Sequence, residues 1–227
     1  MAQAILLVAK NSEWRIAAGK NARVRALERH TLEQTTKMIK DAIEGIVLDL
    51  NGHTVFTRVL INALHSKSGG GVTYLKNMLG KLATRDDLDI HLVLQKNQIE
   101  LYKDFMSKTT VHIVSGGNSR LILLLLEQFF IPFIGWQTKS NVTFSPANFG
   151  PFFAKRPVIL LRNALAVGSV ENRNAKRFYW LLLKVATTLS VLRARRVICV
   201  SEYAKLGLPN FVEKTLTNDI KIIPHGV

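Results

Sequence analysis

An α/β fold, with a mostly parallel sheet covered by helices on both faces, is predicted by two observations. From Arg58 to Val227, short runs rich in β-branched residues alternate with stretches of helical spacing. Those runs are continuously apolar rather than alternating, the pattern of strands buried on both faces and hence of parallel pairing.

The elements follow in order. Residues 1–45, "MAQAILLVAK…KDAIEG", read as a helical segment with a break near Asn11. Thr31 and Gln34 form a capping-box pattern before its last helix, and Gly45 is placed to end that helix. Residues 46–57 read as a linker. Seven strands are then expected: "RVLINAL" from Arg58, "DIHLVLQ" from Asp89, "TVHIVS" from Thr110, "NVTFSPA" from Asn141, "PVILLRN" from Pro157, "RVICVSE" from Arg196 and "DIKIIPH" from Asp219. Val72, Leu75, Leu79 and Leu82 share one helical face, and Phe178, Leu181, Val185, Leu189 and Leu192 share another. Such an alternation makes residues 58–227 a Rossmann-like domain whose ligands sit at the carboxyl ends of the strands.

Composition narrows the function classes. At 227 residues and 48% hydrophobic, the chain can bury a sizeable core. Its single cysteine, Cys199, lies in an apolar strand, so no internal disulfide is possible and a buried thiol in a reducing compartment is expected. The window "LILLLLEQFFIPFIGW" (121–136) is interrupted by Glu127, Gln128 and Pro132, too broken for a spanning helix. It reads as a buried helix or as a surface helix dipping into a bilayer. The net charge of +15 divides unevenly: +2 before Arg58 (8 basic against 6 acidic) and +13 from there on (23 against 10). Nucleic acid is not expected, because recognition helices, zinc-ligand spacing and aromatics interleaved with basic residues are all missing. No His/Cys/Asp/Glu spacing predicts a metal site.

The rim at the strand ends collects the candidate ligand-binding residues. They are His65, Gly69, Gly70 and Gly71 after the first strand, Asn148 after the fourth, Asn163 after the fifth, and Ser201 and Glu202 after the sixth. "HSKSGGGVTYL" is not a Walker A sequence, and Tyr74 stands where the third glycine of G-x-G-x-x-G would fall. Its glycines therefore serve either a tight turn or backbone approach to a phosphate. Ser201 either caps the next helix or contacts ligand. His91 and His112 lie within strands and read as structural, and His53 is in the linker. Among the histidines, His65 is the one placed to act.

"RVLINALHSKSGGGVTYLKNML", "LEQFFIPF", "NVTFSPANFGPFFAKRPVILLRNAL" and "RVICVSEYAKLGL…IKIIPHGV", in that order, resemble the amino-terminal domain of family 4 glycosyltransferases, two-domain enzymes of the GT-B fold. Residues 1–45 resemble the tail of the same family's donor domain. What the resemblance implies is part of a hexosyltransferase of surface polysaccharide biosynthesis. It would move sugar from a nucleotide-sugar, as substrate and with no further cofactor, to a lipid-linked or polysaccharide acceptor. The glycine loop would lie against the donor diphosphate. Asn163 stands where many members carry a histidine, and His225-Gly226-Val227 replaces the usual Asn-Gly-Val at the domain junction. The family's acidic pair belongs to the donor domain, so the catalytic residues are unknown here and a donor-domain partner is implied.

A cytoplasmic place is expected, at the inner face of the plasma membrane, with Lys155, Arg156, Arg193, Arg195 and Arg196 as contacts to anionic lipid. Two alternatives remain. One is a non-catalytic Rossmann-like module that binds an acceptor or a partner. The other, a different nucleotide-dependent enzyme, expects an acidic residue at the end of the second strand, where Gln95 stands.

Overall fold

The computed structural model describes residues 11–29, 31–51, 57–115, 120–162, 174–208 and 220–224. Seven strands form one all-parallel sheet: β1 (Thr57–Asn62), β2 (Leu88–Gln95), β3 (Thr110–Val114), β4 (Val142–Ser145), β5 (Pro157–Leu161), β6 (Arg196–Cys199) and β7 (Ile220–Ile222). Their order is β3-β2-β1-β4-β5-β6-β7. Every strand expected from the sequence is present, and the fold is Rossmann-like α/β. The chain reverses its direction of travel across the sheet between β1 and β4, and the crevice at their carboxyl ends is where such sheets bind ligands.

Among the described residues two helices come first, α1 (Ser12–Arg29) and α2 (Leu32–Asn51). The Thr31–Gln34 capping box forms: Gln34 N–H donates to Thr31 Oγ1 at 3.2 Å, and Thr31 N–H to Gln34 Oε1 at 3.3 Å. Gly45 does not end the helix, which continues to Asn51 through much of the expected linker. An interior glycine costs only about 1 kcal/mol. A larger side chain there would also press on Arg196, whose Nη1 lies 3.0 Å from where a Cβ would stand.

α2 packs on the sheet, in one cluster with α3 (Gly70–Leu82). Ile39, Ala42 and Ile43 join Leu75, Met78, Leu79 and Leu82 over the sheet residues Ile61, Leu92, Phe144, Val158 and Ile198. Polar ties hold the arrangement. Arg196 Nη1 donates to Ala42 O at 2.6 Å, and Thr35 Oγ1 to Pro224 O at 3.0 Å. Lys40 meets Asp87 at 2.9 Å.

The bidentate Arg85 fork on Asp87, with Lys40 beside it, holds the Asp87 carboxyl well below its ordinary 3.8. A depressed carboxyl contributes stability that is present above its unfolded value and is lost as pH falls through the folded one. Asp87 is half exposed, so the contribution is modest. Thermal melts of wild type and Asp87→Asn should therefore differ at pH 6, and the gap should shrink progressively as pH falls below about 3.8. A gap as large at pH 2 as at pH 6 would contradict the pairing.

After β2 come a short 3-10 turn, α4 (Ile99–Tyr102) and a second 3-10 turn. The opposite sheet face carries α5 (Arg120–Gln137), α6 (Asn174–Arg193) and the short α7 (Glu202–Leu206). Leu123, Ile131 and Ile134 of α5 pack on Leu60 and Val93, while Val191 of α6 and Ala204 of α7 pack near Ile159, Val197 and Cys199. The Cys199 thiol is buried and pushed up to about 12 by desolvation, which makes it inert.

One helical face departs from expectation. Leu181, Val185, Leu189 and Leu192 of α6 are exposed, whereas Thr187, Ser190 and Val191 turn inward. The reason is a tertiary contact: Ser190 Oγ donates to Gly150 O at 2.9 Å and accepts from Gly150 N–H at 3.2 Å, so Ser190 seats the β4–β5 loop. A Cβ at Gly150 would stand 2.5 Å from Ser145 Oγ, which makes this close approach available only to glycine. Phe178 lies outside the residues whose side chains are described.

Candidate functional site

The loop after β1 starts at a buried hub. Asn62, 1% exposed, donates from Nδ2 to Glu127 Oε1 at 2.5 Å. Glu127 comes from α5, is 0% exposed, and accepts from His65 Nε2 at 3.0 Å through its other oxygen. A buried carboxyl group needs such partners, since desolvation without them is costly. With Nε2–H committed to Glu127, neutral His65 presents Nδ1 as its remaining acceptor. The ring stands edge-on to Phe149, centroids 4.7 Å apart.

The loop is held from below as well. Gln98 Nε2 donates to Ala63 O and Ser66 O at 2.8 and 2.9 Å, and Tyr102 Oη donates to Ser66 O at 2.9 Å. Backbone carbonyls on both sides of His65 are thus clamped by buried side chains, which limits how far the imidazole can move.

Each glycine has a different reason. Gly69 sits at φ 60° and ψ −151°, a conformation close to glycine-only, and its carbonyl accepts from Val72 N–H as α3 begins. Gly70 faces open space. At Gly71 a Cβ would fall 2.8 Å from Arg162 Nη1, so the missing side chain lets the guanidinium lie against the start of α3. Gly69→Ala should lower stability by about 1–3 kcal/mol through backbone strain, with Gly70→Ala near neutral. Urea midpoints of the two variants check this, and equal midpoints would contradict it.

Arg162 follows β5, and its backbone N–H donates to Asn148 Oδ1 at 2.8 Å. Asn148 therefore ties the β4 and β5 loops together beside Phe149. Burial lowers the pKa of the Arg162 guanidinium, opposed by Tyr74 and Tyr102. The group still stays charged, because an arginine's ordinary value is so high. Burial also pushes the Tyr74 phenol far up, so it stays neutral. A partly desolvated cation thus lies against a helix start that has no side-chain cap, and the histidine stands on the loop that leads into that helix. A cleft of about 710 Å³ opens beside Arg162 and the start of α3, walled by Thr35, Thr36, Gly71, Tyr74, Asn77 and Arg162, and His65 lies outside its wall.

The structure brings His65, Gly69, Gly70, Gly71 and Asn148 to this region. Ser201 Oγ accepts from Ala204 N–H at 3.1 Å and caps α7, and Glu202 is exposed on the same helix. His91 lies in the amino-terminal half of β2 and His112 at the middle of β3. Their rings hydrogen-bond at 2.9 Å, and His91 also meets Asp89. Asn163, His53 and His225 lie outside the described residues. Among the described residues no cluster could hold a metal ion. Sequence reasoning missed Asn62, Glu127 and Arg162 as site residues. The signal was available for two of them: Glu127 is the lone acidic residue in an apolar helix, and Arg162 directly follows a buried strand.

No family model and no curated protein matches the chain. Among solved structures, a dodecameric FMN-dependent UbiX-like decarboxylase from Escherichia coli O157:H7 is similar over 74% of this chain and 80% of that one. Its identity is 12% and its TM-score 0.31. These findings correct the expectations drawn from the family resemblance. No family model or curated match supports a family 4 glycosyltransferase, and the solved structure named above is a flavin enzyme of another fold family. Hexosyl transfer, a nucleotide-sugar substrate, a role in surface polysaccharide and the reading of residues 1–45 as a donor-domain tail are accordingly withdrawn. The expectation of no cofactor is set aside too, and the non-catalytic module gains no support. At that TM-score, in turn, the likeness lends this chain neither a flavin nor a decarboxylation. Among the described residues no helix is long and apolar enough to cross a membrane.

Proposed function

We propose that the carboxyl-terminal rim of the sheet binds a small molecule bearing a phosphate or similar anionic group, and that His65, aligned by Glu127, exchanges a proton or hydrogen bond with it. The observation that carries this reading is the fully buried Glu127 carboxyl group aimed at a half-buried histidine where the sheet reverses. A purely structural carboxyl group has no need of a partner that opens onto a ligand crevice. Arg162 and the first amides of α3 supply the anion contact, and the adjoining cleft accommodates the rest of the molecule. In this arrangement Glu127 is a positioning residue, fixing the His65 tautomer so that Nδ1 faces outward.

Isothermal titration with pyrophosphate, a probe of the anion contact alone, tests the reading. One-to-one binding that weakens with salt is expected. Heats no larger than those of dilution would overturn it.

A further inference from the structure

α5 is apolar nearly all round, and only one of its faces is needed for the core. Leu123, Glu127, Ile131 and Ile134 turn inward. On the outside, Ile122, Leu125, Phe129, Phe130, Phe133 and Trp136 stand exposed, Phe129 at 66% and Trp136 at 77%. Five of these side chains, all but Trp136, line a shallow apolar groove, and Phe130, Phe133 and Trp136 form a row of rings with centroids 6.4 and 6.2 Å apart. A soluble surface rarely presents so large an apolar stripe without a partner. α6, on the same side of the sheet, adds the exposed Leu181, Val185, Leu189 and Leu192.

Charge identifies the partner. Between Arg120 and Val200 the chain carries twelve lysines and arginines against two acidic residues, Glu127 and Glu171, and Glu127 is buried. Lys139 and Lys155 line a depression together with Trp136, at the carboxyl end of the apolar stripe. Phe153, 74% exposed, lies two residues from Lys155. Aromatic rings inserted at headgroup depth with cationic side chains beside them are the chemistry of an anionic lipid surface. A second copy of this chain would instead bring like charge against like charge. Of the arginines expected at such a surface, Arg193 and Arg195 are exposed, but Arg196 turns inward to Ala42.

We infer that the α5 face docks the protein onto an anionic phospholipid bilayer, inserting Phe129, Phe133 and Trp136 between headgroups while Lys139 and Lys155 pair with lipid phosphates. This inference does not rest on the small-molecule site and survives its failure. Flotation with vesicles of phosphatidylcholine alone and of phosphatidylcholine with phosphatidylglycerol tests it, alongside the molar mass of the free protein in solution. Binding to the anionic vesicles only is expected, reduced several-fold at high salt. The double variant Phe129→Ser/Phe133→Ser should lose it. Lys139→Glu/Lys155→Glu should weaken it by tenfold or more, at roughly fivefold per charge removed. Circular dichroism of the variants should match wild type, because every altered side chain is exposed. Three results would overturn the inference: no binding to anionic vesicles, binding that both double variants retain in full, or a stable dimer that Phe129→Ser/Phe133→Ser converts to monomer.

Discussion

Glu127→Ala is expected to lower unfolding free energy by about 2–4 kcal/mol, the combined cost of a cavity and of donors left unpaired. Glu127 is fully buried and takes one hydrogen bond through each oxygen. Removing it strands the Asn62 amide, itself 1% exposed with only a long 3.5 Å contact to Ser145 Oγ to fall back on. Glu127→Gln separates stability from site chemistry. The amide fills the same space and keeps one acceptor, so about 1 kcal/mol is lost. Its NH2 group, turned to His65, would make Nε2 the acceptor and leave Nδ1 protonated toward the rim. Pyrophosphate binding should then change while the urea midpoint falls much less than in Glu127→Ala. If Glu127→Ala is as stable as wild type, the hub does not hold the β1 loop as described.

Arg162→Ala is expected to weaken pyrophosphate binding by about 10- to 100-fold, the value of one charge-assisted contact of 1.5–3 kcal/mol. Stability should move far less. The guanidinium lies over Gly71 rather than in an ion pair among the described residues, and its removal relieves a desolvation cost. Arg162→Lys should recover only part of the affinity, because a point charge cannot reproduce the planar fork against the start of α3. Unchanged affinity in Arg162→Ala, measured by calorimetry, would move the anion site elsewhere.

The strands were legible in the sequence because parallel burial leaves few choices: a run such as "PVILL", enclosed on both faces, has no polar positions to blur it. The Thr31–Gln34 cap was legible because its chemistry is local. Gly45 was misleading for the opposite reason. Its neighbours along the chain permit a stop, but packing on the sheet and the Arg196 contact carry α2 past it. The periodicity of α6 located the helix and misplaced its buried side, since Ser190 is drawn inward by Gly150, forty residues away in sequence.

The site was half legible. His65 and the glycines stand beside one another in the chain, so their placement after β1 sufficed to select them. Glu127 reaches His65 from 62 residues away, and no spacing rule spans that distance. The family resemblance drew its weight from the order of the same strands and loops. That order belongs to the Rossmann-like architecture itself and does not single out sugar transfer.

The most direct measurement is the NMR signal of the His65 ring, assigned through His65→Gln, followed during pyrophosphate titration. Progressive shifts of the His65 ring nitrogens and protons are expected, saturating with the calorimetric affinity, while His91 and His112 stay fixed. Saturating binding that leaves the His65 signals unmoved would contradict the account, since the anion would then occupy a place that the aligned histidine does not reach.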